Sequence, residues 1–196
     1  MIKRLFDIIF SLLGLIVLSP ILILLAILIK FDSKGSVFFR QVRVGRFNKD
    51  FKIFKFRTMH VNADKLGLLT VGDKDPRITK IGYLLRKYKL DEFPQLINVL
   101  TSDMSFVGPR PEVRKYVNHY SKEDLKILNV RPGITDYASI EYRNEAEIIN
   151  QANDPETAYI NKIMPEKIKL NKLYIDKNNL LIDIKIILKT FTSILS

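Results

Sequence analysis

The longest apolar run in the chain covers residues 8 to 29, where 22 consecutive positions carry no charge. An unbroken helix of this length would be about 33 Å long, enough to cross the roughly 30 Å hydrocarbon core of a bilayer. Ser19 and Pro20 lie inside the run. Proline removes a backbone donor and clashes with the preceding turn, and a serine hydroxyl can bond a carbonyl one turn back. The pattern therefore predicts a membrane helix with a kink at these two residues.

Basic residues flank this run on both sides, whereas a spanning helix usually carries its basic excess on one side. They are Lys3 and Arg4 before it, and Lys30, Lys34, Arg40 and Arg43 after it. We therefore expect residues 1 to 30 to form a re-entrant anchor whose two ends return to the anionic cytoplasmic leaflet. A kinked span and a cleaved signal peptide are the alternatives, and no small-residue cleavage site follows the run.

The hydrophobic period changes after the anchor. Alternating β-branched and aromatic residues at 37 to 57, around a turn at 45 to 50, predict a β-hairpin. Helical spacing begins near residue 76, a further helix is expected at 111 to 120, and residues 165 to 174 and 180 to 195 are apolar with interspersed lysines. These last segments fit either interfacial amphipathic helices or helices packed on the core. We predict an α+β fold in which residues 31 to 196 form one compact unit that rests on the membrane.

Composition narrows the chemistry. The 196 residues include no cysteine and two separated histidines, His60 and His119, so a bound metal would need oxygen ligands. The net charge of +11 is uneven, because residues 1 to 60 carry 11 basic and 3 acidic groups. This excess predicts an anionic partner, and the basic hairpin could either be solvated or lie against lipid headgroups or a phosphorylated substrate. The sequence contains no Walker or dinucleotide-binding motif, which disfavours ATP or NAD chemistry.

Asp91 and Glu92 precede an apolar helical segment and have two interpretations. Structurally, Asp91 is a helix N-cap and Glu92 a first-turn acid. Functionally, a carboxylate at this position can act as a nucleophile while its neighbour binds Mg²⁺ or moves a proton. Pro109 and Pro111 enclose Arg110, which restricts the backbone of the arginine and suits phosphate recognition, although a rigid turn is the simpler interpretation.

Taken together, these segments resemble the small monotopic phosphoglycosyl transferases, a group of bacterial sugar transferases. The resemblance covers about residues 1 to 145 and rests on KRLFDIIFSLLGLIVLSP, FFRQVRVGR, FKIFKFRTM, DPRITKIGYLLRKYKLDEFPQLINVL, SDMSFVGPRPE and VRPGITDYASI. It implies a re-entrant helix broken at Ser19 and Pro20, and an enzyme on the cytoplasmic face of the bacterial inner membrane. It also implies that this chain is the minimal form, without the extra N-terminal membrane helices of larger relatives.

The resemblance further implies a mechanism. Asp91 would attack the β-phosphorus of a UDP-sugar, release UMP and hold the phosphosugar until polyprenol phosphate accepts it, which begins a lipid-linked glycan. Asp91 and Glu92 would be the catalytic and Mg²⁺-binding pair. Arg86, Arg110 and Arg143 match the phosphate-binding positions. Anionic lipid is an expected partner, nucleic acid is not, and a homo-oligomer is compatible with the sequence.

One segment departs from the family pattern. Many members read Gly-Trp-Ala-Gln-Val-Asn-Gly-Arg after PGIT, where this chain has Asp136-Tyr-Ala-Ser-Ile-Glu-Tyr-Arg143. We expect a change in sugar or nucleotide preference there. Two other functions remain open: a non-catalytic basic membrane adaptor of a glycan-assembly complex, and a glycosyl transferase that would release UDP. The sequence does not identify the sugar, the pathway, the polyprenol length or the oligomeric state.

Overall fold

A computed structural model describes residues 2–63, 75–152 and 154–195, and its architecture is α+β, as predicted. Within these ranges helices dominate, and the strands form two small sheets. In chain order the elements are α1 (Ile2–Asp32), β1 (Phe38–Val44), β2 (Asp50–Phe56), α2 (Lys80–Lys87), α3 (Gln95–Leu100), β3 (Ser105–Val107), α4 (Arg114–Val117), β4 (Gly133–Thr135), α5 (Tyr137–Glu141), α6 (Glu145–Asn150), α7 (Pro155–Ala158), a π-helical turn (Tyr159–Ile163), α8 (Met164–Lys177) and α9 (Leu180–Leu195). Short 3₁₀ turns lie at Arg46–Asn48, Leu90–Glu92 and Asp124–Asn129.

Helix α1 contains the long apolar run. It continues through Ser19 and Pro20. Ser19 Oγ donates to the Ile16 carbonyl at 2.7 Å, the hydrogen bond from side chain to backbone that the sequence predicts. The helix is long and apolar enough to cross a membrane, and only 6% of its most apolar stretch of 18 residues is buried in the protein. Most of its apolar side chains are therefore left for a nonaqueous environment.

The first turns of α1 are bound to the rest of the chain. Arg4 donates to the carbonyls of the last two residues of α3, at 2.7 and 2.9 Å. Asp7 is buried and accepts from Ser105 Oγ and from the next backbone N–H, both at 3.1 Å. Lys3 Nζ donates to the Val107 carbonyl at 2.9 Å. The flanking basic residues Lys3 and Arg4 were predicted to face the anionic leaflet, but both bind protein groups.

The predicted hairpin is confirmed. β1 and β2 pair antiparallel, with Phe38 opposite Phe56 and Val44 opposite Asp50. The intervening turn uses positive φ angles at Phe47 and Asn48. Ile53 and Phe56 of β2 are buried on opposite faces of the strand, Ile53 against Val99 of α3 and Phe56 against Ile29 of α1, so both faces of the hairpin contribute to the core.

Helix α3 is fixed to this hairpin by one buried amide. Asn98 Nδ2 donates to the Lys52 carbonyl at 2.9 Å, and its Oδ1 accepts the Phe54 N–H at 2.8 Å. The side chain is fully buried, so both β2 groups would lose their partner without it. This contact sets the position of the Asp91 region, which leads into α3, relative to β2.

Strands β3 and β4 form a short parallel pair that the sequence analysis did not predict. Ser105 lies opposite Gly133, and Val107 opposite Thr135. The expected helix at 111 to 120 is reduced to α4, because Val113 has an extended backbone and caps it.

The two C-terminal helices pack on the core with one face. Tyr174 of α8 and Ile186 of α9 are buried together with Val107. On the opposite side of α9, Leu181 and Leu188 are exposed. Core packing therefore explains one face of α9, and the other remains available for a membrane interface.

Candidate active site

The acidic pair lies in the 3₁₀ turn Leu90–Glu92, between α2 and α3. Lys89, immediately before the turn, has a left-handed backbone with φ of 55°, an unfavourable conformation for a residue with a side chain. Helix α3 starts at Gln95 with Pro94 as its cap residue. The interpretation of Asp91 as the helix N-cap is therefore wrong, and Asp91 lies instead in a buried turn.

Glu92 binds two cations that come from different parts of the chain. Its Oε1 accepts from Lys55 Nζ at 2.8 Å, and the Arg110 guanidinium donates to both carboxylate oxygens, to Oε2 at 3.2 Å. The three side chains are mostly buried, with exposed fractions of 17% for Lys55, 14% for Glu92 and 34% for Arg110. Charge-assisted hydrogen bonds of this kind are stronger than neutral ones, so Glu92 holds β2 and the Arg110 loop together.

The two carboxyl groups are shifted in opposite directions. Burial on its own would raise the pKa of Glu92, but Arg110 and Lys55 hold that pKa well below its usual value. Burial also raises the pKa of Asp91, and there it prevails: Lys55 opposes the rise and the charge of Glu92 adds to it. Neighbouring acids whose pKa values are pushed apart are typical of sites where the two groups have different roles.

The cations of the site respond to the same surroundings. Burial lowers the pKa of Lys55, and the negative charge of Glu92 opposes this effect. The pKa of Arg110 is raised, chiefly by Glu92. Both side chains therefore depend on Glu92 for their stability as charged groups in a partly desolvated site.

Arg86 and Arg143 have different surroundings. Arg86 lies in the last turn of α2, donates through Nε to Thr58 Oγ1 at 3.0 Å, and is one of the charges that lower the pKa of Asp91. Arg143 donates to the Ser193 carbonyl at 2.7 Å, near the end of α9, and is not among the main charges acting on Asp91. Arg86 and Arg110 therefore lie close to the acidic pair. The described hydrogen bond of Arg143 is with the last helix instead.

Lys55 is the main site residue that the sequence analysis missed. It belongs to the basic and aromatic hairpin, which was expected to face solvent, lipid or substrate as a unit. Its ammonium instead turns inward to Glu92, 37 positions away in sequence. Strand alternation places Lys55 on the same face as Ile53 and Lys52 on the opposite face. Only the pairing of the hairpin with the acidic turn shows that the face with Lys55 meets Glu92.

A second polar network adjoins the Arg110 loop. Glu112 accepts a hydrogen bond from the Tyr159 hydroxyl and lies 3.6 Å from Lys167 Nζ and 3.9 Å from Arg43 Nη1. Arg43 also donates to the Pro111 carbonyl at 3.3 Å. This network ties the Arg110 loop to β1, to the π-helical turn and to α8.

The chain was compared with known proteins. A family model described as bacterial sugar transferase matches residues 1–196. The chain is 37% identical to a UDP-N-acetylgalactosamine-undecaprenyl-phosphate N-acetylgalactosaminephosphotransferase of Aeromonas hydrophila, over 100% of this chain and 44% of the relative. It is 36% identical to a UDP-glucose:undecaprenyl-phosphate glucose-1-phosphate transferase of Escherichia coli, over 97% of this chain and 39% of the relative.

A third relative is similar in length. The exopolysaccharide production protein ExoY of Sinorhizobium fredii is 32% identical, over 98% of this chain and 84% of the relative. The chain spans about two fifths of the length of the first two relatives. Since the family model extends over every residue, and the motifs that form the acidic site lie within it, the chain belongs to the bacterial sugar transferase family.

Proposed function

We propose that this chain is a membrane-bound phosphoglycosyl transferase that moves a sugar-1-phosphate from a UDP-sugar to polyprenol phosphate. The observation that carries this proposal is the division between the two neighbouring acids: Glu92 is paired with Lys55 and Arg110, and Asp91 is the acid whose pKa is raised. The relatives named for transfer of sugar phosphates from UDP-sugars to undecaprenyl phosphate support the same class of substrates.

In the first step, an Asp91 carboxylate oxygen forms a bond to the β-phosphorus and the phosphoanhydride bond breaks, so that UMP leaves with the bonding electron pair. A phosphosugar then remains on Asp91 as an acyl phosphate. In the second step, an oxygen of polyprenol phosphate attacks this phosphorus, which restores the carboxylate and yields a diphosphate-linked sugar. Covalent catalysis of this kind splits one difficult transfer into two easier ones.

The surrounding residues support the reacting state of Asp91. Lys55, Arg86 and Lys89 favour its ionised form, which is the nucleophile. Arg86 and Arg110 supply fixed positive charge for the phosphoryl oxygens as negative charge develops on them. Glu92, with its depressed pKa, is a poor proton donor at neutral pH, so its role is to hold Lys55 and Arg110 rather than to act as a general acid.

A magnesium ion fits this donor set through Asp91. Among the described residues, no group of three or more metal-ligating side chains occurs. Mg²⁺ is commonly held by one or two carboxylates together with substrate phosphates and water. Asp91 would be its protein ligand, since Glu92 is already bound by two cations. When bound, Mg²⁺ would neutralise charge on the diphosphate.

The membrane arrangement belongs to the same proposal. We infer that α1 enters the bilayer as a re-entrant helix bent at Ser19 and Pro20, at the cytoplasmic face of the inner membrane. Because the chain has no cysteine, single cysteines can report its topology. Ile2→Cys and Lys34→Cys should both react with a membrane-impermeant maleimide from the cytoplasmic side only. Labelling from opposite sides would replace the re-entrant helix by a kinked span.

The function is tested by nucleotide release from purified protein with Mg²⁺, polyprenol phosphate and a panel of UDP-sugars. We expect UMP from at least one sugar, and loss of UMP in Asp91→Asn. Asp154→Ala, at an exposed helix cap, is the matched control because it removes a carboxylate outside the site. UDP in place of UMP would identify a glycosyl transferase. Absence of both, with folded and membrane-bound protein, would favour the adaptor.

The covalent step has its own measurement. Intact-protein mass spectrometry after mixing with the active UDP-sugar, but without lipid, should detect a mass increase equal to one phosphosugar. Polyprenol phosphate should then remove it. Turnover with no adduct in rapid-quench samples would contradict Asp91 as nucleophile and favour direct transfer.

A further inference from the structure

The Pro109-Arg110-Pro111 segment has a single backbone donor, because proline has no N–H. That donor, the Arg110 N–H, bonds to Asp136 Oδ2 at 3.0 Å. Nothing else on the backbone of these three residues can fix the loop through donation. This bond, accepted by a residue 26 positions away, is therefore the one backbone contact made by Arg110 itself through donation, and it fixes the peptide from which the guanidinium extends.

Both carboxylate oxygens of Asp136 accept hydrogen bonds from backbone N–H groups. It is fully buried, at 0% exposure, so it does not face a substrate. Its other oxygen, Oδ1, accepts the Ser139 N–H at 2.6 Å and caps α5. One carboxylate thus ties the start of α5 to the arginine loop. This finding bears on the departure from the family pattern noted at this position, which sequence reasoning linked to substrate preference.

The backbone around the contact leaves little room for adjustment. Gly108 N–H donates to the Thr135 carbonyl at 3.1 Å, and Gly133 N–H donates to the Pro109 carbonyl at 3.0 Å. A Cβ on Gly133 would lie 2.1 Å from the Gly108 nitrogen, so the two segments touch only because side chains are absent there. This close approach brings Asp136 within hydrogen-bond reach of Arg110.

We propose that Asp136 is a positioning residue that aims the Arg110 guanidinium at Glu92 and, resting on the proposed function, at the diphosphate of the substrate. It acts through Arg110 and does not touch the substrate. The competing account is purely structural: Asp136 only caps α5. Serine separates the two, because its single, shorter side-chain oxygen can cap the helix but cannot also reach the Arg110 N–H.

The experiment is a double-mutant cycle on the full-length chain with Asp136→Ser and Arg110→Ala. We expect Asp136→Ser to lower kcat about tenfold, as loss of a buried hydrogen bond to a charged or catalytic segment does. In the Arg110→Ala background the same substitution should change kcat by less than about twofold, because the side chain it aims is gone. An equal loss in both backgrounds, or no loss in the wild type, would overturn the proposal.

A second cycle needs no turnover. The destabilisation caused by Glu92→Gln, measured by urea unfolding, should shrink in the Asp136→Ser background, because a misdirected Arg110 no longer pairs fully with Glu92. An unchanged effect of Glu92→Gln refutes the positioning role even if UDP-sugars turn out not to be substrates. Conversely, absence of UMP release from the wild type with a reduced Glu92→Gln effect would refute only the proposed function.

Two controls complete the design. Asp154→Ser at the exposed cap of α7 also replaces an aspartate that accepts two backbone N–H groups, and it should leave kcat unchanged. If Asp136→Ser fails to fold, Asp136→Asn replaces it in both cycles, since asparagine keeps the shape and one acceptor oxygen. Additive behaviour of this variant would equally overturn the proposal.

Discussion

Replacement of Lys55 and replacement of Glu92 should move the pH dependence of activity in opposite directions. The positive charge of Lys55 lowers the pKa of Asp91, and the negative charge of Glu92 raises it. Lys55→Met should therefore shift the acid limb of kcat/KM to higher pH, and Glu92→Gln should shift it to lower pH. The acid limb of this profile reports the essential carboxylate of the free enzyme, which we identify as Asp91.

The same substitutions have a cost in stability that can be worked from the geometry. Unit charges 2.8 Å apart, the Lys55–Glu92 separation, attract by about 6 kcal/mol at an effective dielectric constant of about 20. Most of this attraction is offset, because the substitution also removes the free-energy cost of burying the Lys55 ammonium. Since Glu92 keeps Arg110 as a partner, we expect Lys55→Met to lower the free energy of unfolding by about 2 kcal/mol.

The assay measures UMP release with the active UDP-sugar from pH 5 to 9, together with urea unfolding of each variant. Lys172→Met is the matched control. It removes a lysine of α8 that pairs with Asp124 at 2.6 Å, away from the acidic turn. It should leave the acid limb in place. Shifts of the limb in the same direction for Lys55→Met and Glu92→Gln, or no shift in either, would refute the identification of Asp91 as the titrating group.

Three further outcomes follow from the contacts. The pKa of Glu92 in the folded protein lies below its usual value of 4.5, so the ionised side chain stabilises the fold above pH 4.5. This contribution is lost as the pH falls through the folded-state pKa. In Glu92→Gln, the free energy of unfolding should therefore depend less on pH below 4.5. Asn98→Ala should lower the unfolding free energy by about 2 kcal/mol, measured by urea titration, because two partly buried backbone groups of β2 lose the buried amide that pairs with them. Gly133→Ala should abolish soluble folded protein in expression and circular dichroism tests, since its Cβ would overlap the Gly108 backbone.

The parts of the fold that sequence predicted are those whose signal is local. The hairpin follows from alternation within about twenty residues, and α2 and α3 follow from helical spacing. The β3–β4 pair was missed because each strand has three residues, too few for a period, and because its partners are 28 positions apart, Ser105 opposite Gly133. The close packing of two glycines, which holds this pair together, leaves no hydrophobic pattern.

The acidic site was also predicted only where the signal is local in sequence. The positions of Asp91 and Glu92 were predicted, but their partners were not, because Lys55 and Arg110 reach Glu92 from 37 and 18 positions away. The resemblance implied that Asp91 is the nucleophile and that Glu92 binds Mg²⁺ or moves a proton, but it did not indicate that two cations hold Glu92. The opposite pKa shifts of the two acids arise from which acid those cations reach. The role of Arg143 stays a prediction, since its described contact is with the last helix.

The uneven charge of the chain also has a different meaning in three dimensions. Several basic residues of the first sixty are bound inside the protein: Lys3 and Arg4 hold α1 to the domain, Lys55 pairs with Glu92, and Arg57 donates to the Ser33 carbonyl at 2.6 Å near the end of α1. Those charges stabilise the junction between the membrane helix and the active site. They are unavailable to an anionic lipid, so the excess of basic residues in a segment does not show which of them are exposed. Attraction to anionic headgroups must come from the exposed basic residues near the end of α1 and on the hairpin, which include Lys34, Arg40, Lys49 and Lys52.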